Sequence, residues 1–268
     1  MNEFSWMLLA FLVYFLVTFF NFMIYFFQKK NLKKAAYFLA LSGLIFHSAS
    51  LLLRTFHSGH APFTSMYESV SFLAWASVLV LIIFERKFGL EKAGPLLWLM
   101  VIALMALASS PSLPKDITPL VPALQSYWLW LHVSVTILGE AFLAVAFVAS
   151  LLYLLAGRDD SEESKIKMEK YDRLAYRAVA VGFPLFTLGA MIFGMIWASR
   201  AWGRYWGWDP KEVWSLITWL FYALYLHTRL VMGWKGKKSA IVAIIGFLSA
   251  LFTFFGVNYL LKGLHSYV

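Results

Sequence analysis

The chain has 268 residues, 61% of them hydrophobic and only 14% charged, with a mean hydropathy of +0.71, a balance that excludes an ordinary soluble domain and marks a membrane protein. The formal net charge is +9, but most of the lysines and arginines fall in short loops between apolar runs, where they set membrane topology; this argues against nucleic-acid binding. With no cysteine in the chain, no disulfide forms, and any thiol chemistry beside it belongs to a partner.

Runs long enough to cross a hydrocarbon core about 30 Å thick as helices occur at roughly eight places: 4–27, 35–53, 67–84, 95–109, 127–156, 178–199, 212–233 and 239–261. The expected fold is therefore all-α, a polytopic membrane helix bundle of about eight transmembrane helices, read as one integral membrane domain over 1–268. The first run carries Glu3, has no basic residue ahead of it and outlasts a signal-peptide core, so it is expected to be retained. Alternate loops gather the basic residues: Lys29 to Lys34, then Arg86, Lys87 and Lys92, then Arg158 to Arg177, then Arg229 to Lys238. That asymmetry puts both termini outward.

The second run contains His47 and ends near Arg54; His57 and His60 follow in a loop and read as solvated side chains more readily than as metal ligands. The fourth run is short and leads into a loop with Pro111, Pro114, Pro119 and Pro122, which cannot be helical throughout. The fifth begins near Trp128, sets His132 close to the outer interface and places Glu140 two turns deeper, where a carboxylate needs a partner or a wet cavity. In the sixth, Pro184 predicts a kink, and Gly182, Gly189 and Gly194 allow close helix approach.

Between the sixth and seventh runs lies an outward-facing stretch crowded with aromatic rings: Trp202, Tyr205, Trp206, Trp208 and, past the turn, Trp214. Asp209, Pro210 and Glu212 predict an N-cap, first helical residue and capping box for the seventh helix. Its apolar body carries His227 about 20 Å deep by helical rise, and the eighth run emerges outward to Leu264 and His265.

The topology thus brings His132, the aromatic loop and His265 to one level. Imidazoles from separate helices can ligate one haem iron from opposite sides. Tryptophan and tyrosine rings offer a flat apolar contact, and Arg200, Arg204 and Lys211 offer partners for propionates. Tryptophan and tyrosine also gather at membrane interfaces in proteins that bind no haem, so the residues alone leave both readings open.

Trp-Gly-Arg-Tyr-Trp-Gly-Trp-Asp-Pro-Lys-Glu at 202–212 resembles the WWD signature of the cytochrome c assembly (CcsA/ResC) family. Trp197-Ala198-Ser199 before it, Tyr225 to Arg229 after it and Leu264 to Tyr267 at the end fit the same pattern, and Pro62 to Glu68 is a further plausible segment. The resemblance is tight over about 190–267, fair over 127–145 and thin over the first hundred residues.

What it implies is haem handling for covalent attachment to apocytochrome c at the outer face, the system II type of cytochrome c biogenesis, with haem b as a substrate in transit. The chain would be the haem-binding subunit of a cytochrome c synthase (haem lyase) complex. The outer loop would span 198–212, with Trp202, Arg204, Tyr205, Trp206, Trp208 and Asp209 at the haem, His132 and His265 as the outer ligand pair, and His227 as a ligand within the membrane. His47 lies only about 9 Å from the outer end of its span, against about 20 Å for His227, so the second ligand for His227 is expected from a CcsB (ResB) subunit.

The other expected partner is an apocytochrome with a Cys-Xaa-Xaa-Cys-His segment. The membrane would be the bacterial cytoplasmic membrane, or the thylakoid in a plastid. Alternatives are haem delivery to a carrier (CcmC-like), an electron-transferring membrane cytochrome b, and a transporter using Glu140, which would call for internal repeats that the sequence does not show.

Overall fold

A computed structural model describes residues 2–90, 93–157, 161–261 and 263–264; His265 lies outside them. The described residues are helical and contain no strand. They form α1 (Glu3–Phe27), α2 (Leu32–Ser58), α3 (Met66–Phe88), α4 (Gly94–Ser109), α5 (Tyr127–Ala156), α6 (Glu162–Trp202), α7 (Pro210–Leu230) and α8 (Lys237–Leu260). Each expected apolar run falls on one of these helices.

Six of them, α1, α2, α3, α5, α6 and α8, are long and apolar enough to cross a membrane. Helix α4 has only 16 residues. Helix α7 has 21, but Lys211 and Glu212 open it and His227 and Arg229 close it, so its polar ends dilute an apolar middle. The prolines of 111–122 keep that loop irregular, with one 3-10 turn at Pro122–Leu124.

The chain divides into two compact units, one ending at Leu120 and one beginning at Val121. In the first, α1 packs against α2 and α4, and α3 against the same two helices. Arg54, only 3% exposed, ties the unit together at the end of α2. Its Nε donates to Glu68 Oε1 at 2.8 Å, and its Nη1 donates to Glu3 Oε1 at 3.1 Å and to the Lys115 carbonyl at 2.7 Å. One guanidinium thereby joins the starts of α1 and α3 to the proline-rich loop, using its fixed fork of donors.

His47 is fully buried in the same unit. Its Nε2 meets Ser71 Oγ at 3.1 Å, and its Nδ1 meets the Tyr14 hydroxyl at 3.5 Å, so it is knit into α1 and α3. His57 reaches Glu3 Oε2 at 3.3 Å and His60 the Ala61 carbonyl at 3.0 Å.

In the second unit α5 and α6 touch through their backbones. A Cβ at Gly139 would stand 2.7 Å from the Phe186 nitrogen, and one at Gly182 would stand 3.0 Å from the Gly139 carbonyl. Small residues at a crossing allow this approach, which places dispersion contacts along the whole seam. At the far end of the seam, Asp172 of α6 takes both Nη atoms of Arg229 at 2.7 Å and the Gly236 amide at 2.9 Å.

Helix α6 widens into a π-helical stretch at Thr187–Phe193, one turn after Pro184, whose ring removes a backbone donor. The Thr187 hydroxyl donates to the Phe183 carbonyl at 2.8 Å and accepts Trp219 Nε1 at 3.0 Å. Helix α8 has its own π stretch at Phe252–Gly256, where Phe252 packs on Trp214 with centroids 4.3 Å apart.

Candidate functional site

The aromatic loop begins where α6 ends. Gly203, at φ 73°, closes the helix with its amide on the Ser199 carbonyl at 3.0 Å, a left-handed cap that glycine adopts without strain. The loop ends at the predicted cap: Asp209 Oδ1 accepts the Lys211 amide at 3.0 Å, and Glu212 Oε2 accepts the amides of Gly207 at 2.7 Å and Asp209 at 3.1 Å. Seven residues are thus held between two fixed helix ends.

Within that frame, Tyr205 is 60% and Trp208 71% exposed. Trp208 has φ 58°, a left-handed conformation that costs a bulky residue roughly 1–2 kcal/mol. The flanking bonds to Glu212 hold the strain, and the result is a large ring turned outward. Trp206 meets it edge-on, with centroids 5.8 Å apart and planes at 89°. The Arg204 guanidinium folds back over Gly207, so close that a Cβ there would stand 2.7 Å from its Nε.

Trp208→Gly is expected to leave the melting temperature unchanged or slightly raised, because relief of the left-handed strain offsets glycine's entropy. A thermal melt in detergent checks this; a clear drop would mean that the ring is structural rather than presented.

His132 is held on three sides. Its Nδ1 lies 2.9 Å from the Gly189 carbonyl in the π stretch. A carbonyl only accepts, so Nδ1 carries the proton and Nε2 is the basic nitrogen, the arrangement typical of metal-ligating histidine. The ring stacks on Trp197 with centroids 5.6 Å apart and planes at 10°. Trp197 in turn meets Trp202 edge-on at 4.8 Å and donates its Nε1 to the Ala123 carbonyl at 3.0 Å. On the remaining side, a Cβ at Gly194 would stand 3.0 Å from the imidazole.

Among the sequence-predicted residues, His132 and Trp202 are therefore joined through Trp197, while Tyr205 and Trp208 are exposed and the half-buried Trp206 packs on Trp208. Asp209 is 6% exposed, and its second oxygen accepts the Leu264 amide at 2.6 Å. This brings the residue before His265 against the loop.

His227 is not brought to this site: it lies 18 residues along α7 from Asp209, about 27 Å by helical rise, and is exposed. Glu140, 7% exposed on α5, lies near enough to Lys211 for their charges to attract. Trp197 enters the sequence reading only through the Trp197-Ala198-Ser199 segment, with no role at the site, and the Gly189 carbonyl is backbone, which has no side-chain signature.

These features fit a haem-type group: a histidine with its basic nitrogen fixed, a tryptophan stacked on that histidine and exposed aromatic faces suit an iron and a flat macrocycle. Fold and site together define a polytopic all-helical membrane protein with an aromatic loop between two of its helices.

The sequence profile of the cytochrome C assembly protein family matches residues 63–265. The cytochrome c biogenesis protein CcsA of Chlamydomonas reinhardtii is 44% identical over 226 residues, covering 81% of this chain and 64% of that protein. CcsA of Synechococcus sp. (strain CC9605) is 40% identical over 258 residues, covering 85% and 84%, and that of Guillardia theta is 38% identical over 239, covering 80% and 79%. The chain belongs to the cytochrome c assembly protein family. A solved structure of the cytochrome c haem lyase CcmF matches in fold, with a TM-score of 0.70 at 17% identity over 98% of this chain and 48% of that one. The chain thus spans just under two thirds of the Chlamydomonas protein and about half of the CcmF chain.

Proposed function

We propose that the chain receives haem b in the membrane and presents it at the outer face for covalent attachment to apocytochrome c, acting with a CcsB-type subunit in the bacterial cytoplasmic or thylakoid membrane. The observation that carries this is the fixing of His132: Nδ1–H on the Gly189 carbonyl, with its ring stacked on Trp197 beside Trp202. The outer ligands are His132 and His265, the latter next in sequence to Leu264, whose amide binds Asp209. Trp202, Tyr205, Trp206 and Trp208 supply the platform, and Arg204 a cation for the propionate edge.

An incoming Cys-Xaa-Xaa-Cys-His segment replaces one axial ligand with its own histidine. Each cysteine sulfur then bonds to a vinyl carbon while its proton goes to the other vinyl carbon, so no oxidant is consumed. The chain's contribution is orientation, which converts an encounter into a near-intramolecular reaction.

His227 supports the second subunit. Leu220 and Leu224, at 52% and 45% exposure, share its face of α7 at helical spacing, and Val231, at 71%, follows just past the helix end. A histidine on such a face calls for a partner, and a CcsB-type ligand at the same depth supplies it, with haem passing outward from there.

The test is the visible spectrum of the protein purified with its CcsB-type subunit. His132→Gly and His265→Gly are each expected to convert a six-coordinate low-spin spectrum toward five-coordinate, with added imidazole restoring it. His227→Gly is expected to lower total haem. A parent that carries no haem, or a spectrum insensitive to both outer changes, overturns the reading.

A further inference from the structure

The aromatic loop ends on a buried carboxylate, Asp209, that grips the C-terminal segment at Leu264. Asp209 divides its carboxylate between two tasks: Oδ1 takes the Lys211 amide at 3.0 Å and caps α7, while Oδ2 takes the Leu264 amide at 2.6 Å. Both bonds are charge-assisted, and they lie at a helix N-terminus, where the dipole favours the anion. Gly263 fits flat beneath: a Cβ there would stand 3.1 Å from Pro210 Cδ and would run into the Asp209 carboxylate.

Two residues along, Lys211 Nζ donates to Asn258 Oδ1 at 3.1 Å, and Asn258 Nδ2 donates to the Phe254 carbonyl at 2.7 Å, inside the π stretch of α8. Glu140 and Asp209 lie near enough to act on the Lys211 charge. Residues 209 and 211 thus hold the C-terminal segment at two points, Asn258 and Leu264, which lie on either side of the end of α8. His265 follows Leu264 directly in the sequence.

We propose that Asp209 is a positioning residue for the C-terminal histidine. It joins the aromatic platform to the segment that delivers the ligand from α8, with Lys211 as a second tie and Gly263 as the space that lets the two close. This deepens the proposed function and rests on its assignment of His265 as an outer ligand. Asp209 thereby acts through the protein backbone, and its role differs from that of the tryptophans beside it.

The full chain with its CcsB-type subunit tests this. Asp209→Ser keeps a helix-capping hydroxyl but is too short to hold Leu264 as well. Gly263→Ala leaves the loop sequence untouched and presses on the same carboxylate. The first readout needs no haem: amide hydrogen exchange over 257–264 is expected to accelerate by about tenfold or more in both variants, while the α5 amides keep the parent rate. The second is the haem spectrum, in which both variants shift toward five-coordinate and imidazole restores the parent form.

Unchanged exchange over 257–264 in both variants overturns the clasp irrespective of haem. Faster exchange with a parent-like spectrum, in a background where His265→Gly alters the spectrum, overturns the positioning role. If His265→Gly leaves the spectrum unaltered as well, the ligand assignment fails and the positioning role fails with it.

Discussion

Arg54→Ala is expected to destabilise the first unit by about 3–5 kcal/mol, the cost of breaking a buried ion pair by removing one partner. The loss leaves Glu3 and Glu68, at 4% and 1% exposure, without the guanidinium that both carboxylates and the Lys115 carbonyl share. Arg54→Lys is expected to recover only part of this, because one ammonium lacks the rigid fork that reaches three acceptors on three segments. Arg54→Met combined with Glu3→Gln and Glu68→Gln is expected to recover more than either, since no uncompensated charge remains. Melting in detergent ranks the four proteins. An Arg54→Ala protein that melts with the parent would show that the network contributes nothing net.

Gly189→Val is expected to strike stability and site together. A side chain there meets the Thr136 backbone, whose Cα would be 2.8 Å from the new Cβ, and backbone cannot turn aside as a flexible side chain can. Overpacking of this kind costs about 1–3 kcal/mol. The same shift moves the carbonyl that fixes the His132 tautomer, so haem retention should fall by about 10–100-fold, the usual effect of losing an outer-shell partner. Gly194→Ala, whose Cβ would press the imidazole at 3.0 Å without opening the α5–α6 seam, is expected to weaken haem retention with less effect on melting. Equal melting and equal haem content for Gly189→Val and the parent would remove the Gly189 carbonyl from the site.

The difference between these two sites and the α7 cap shows what kind of information a sequence holds. Asp209, Pro210 and Glu212 lie within one helical turn, so their bonds follow from spacing alone, and the cap appears as read. Arg54 stands 51 residues from Glu3 and 14 from Glu68. Nothing local distinguishes it from a basic residue at the end of a span. His132 was legible as an interfacial histidine, but the carbonyl that orients it lies 57 residues away, in a π stretch that breaks the ordinary helical period.

Asp209 itself was half legible. Its capping oxygen follows from the sequence, but its second oxygen, on the Leu264 amide 55 residues on, follows only from the way α8 returns beside α7.

The sequence by itself determined the class of protein and the helices: apolar run length, proline and glycine punctuation and loop charge act over a few residues and need no tertiary context. The tertiary structure decided which oxygen, nitrogen and ring each polar residue meets. Those bonds close across helices far apart in the chain, and several of them end on backbone atoms that every residue carries alike.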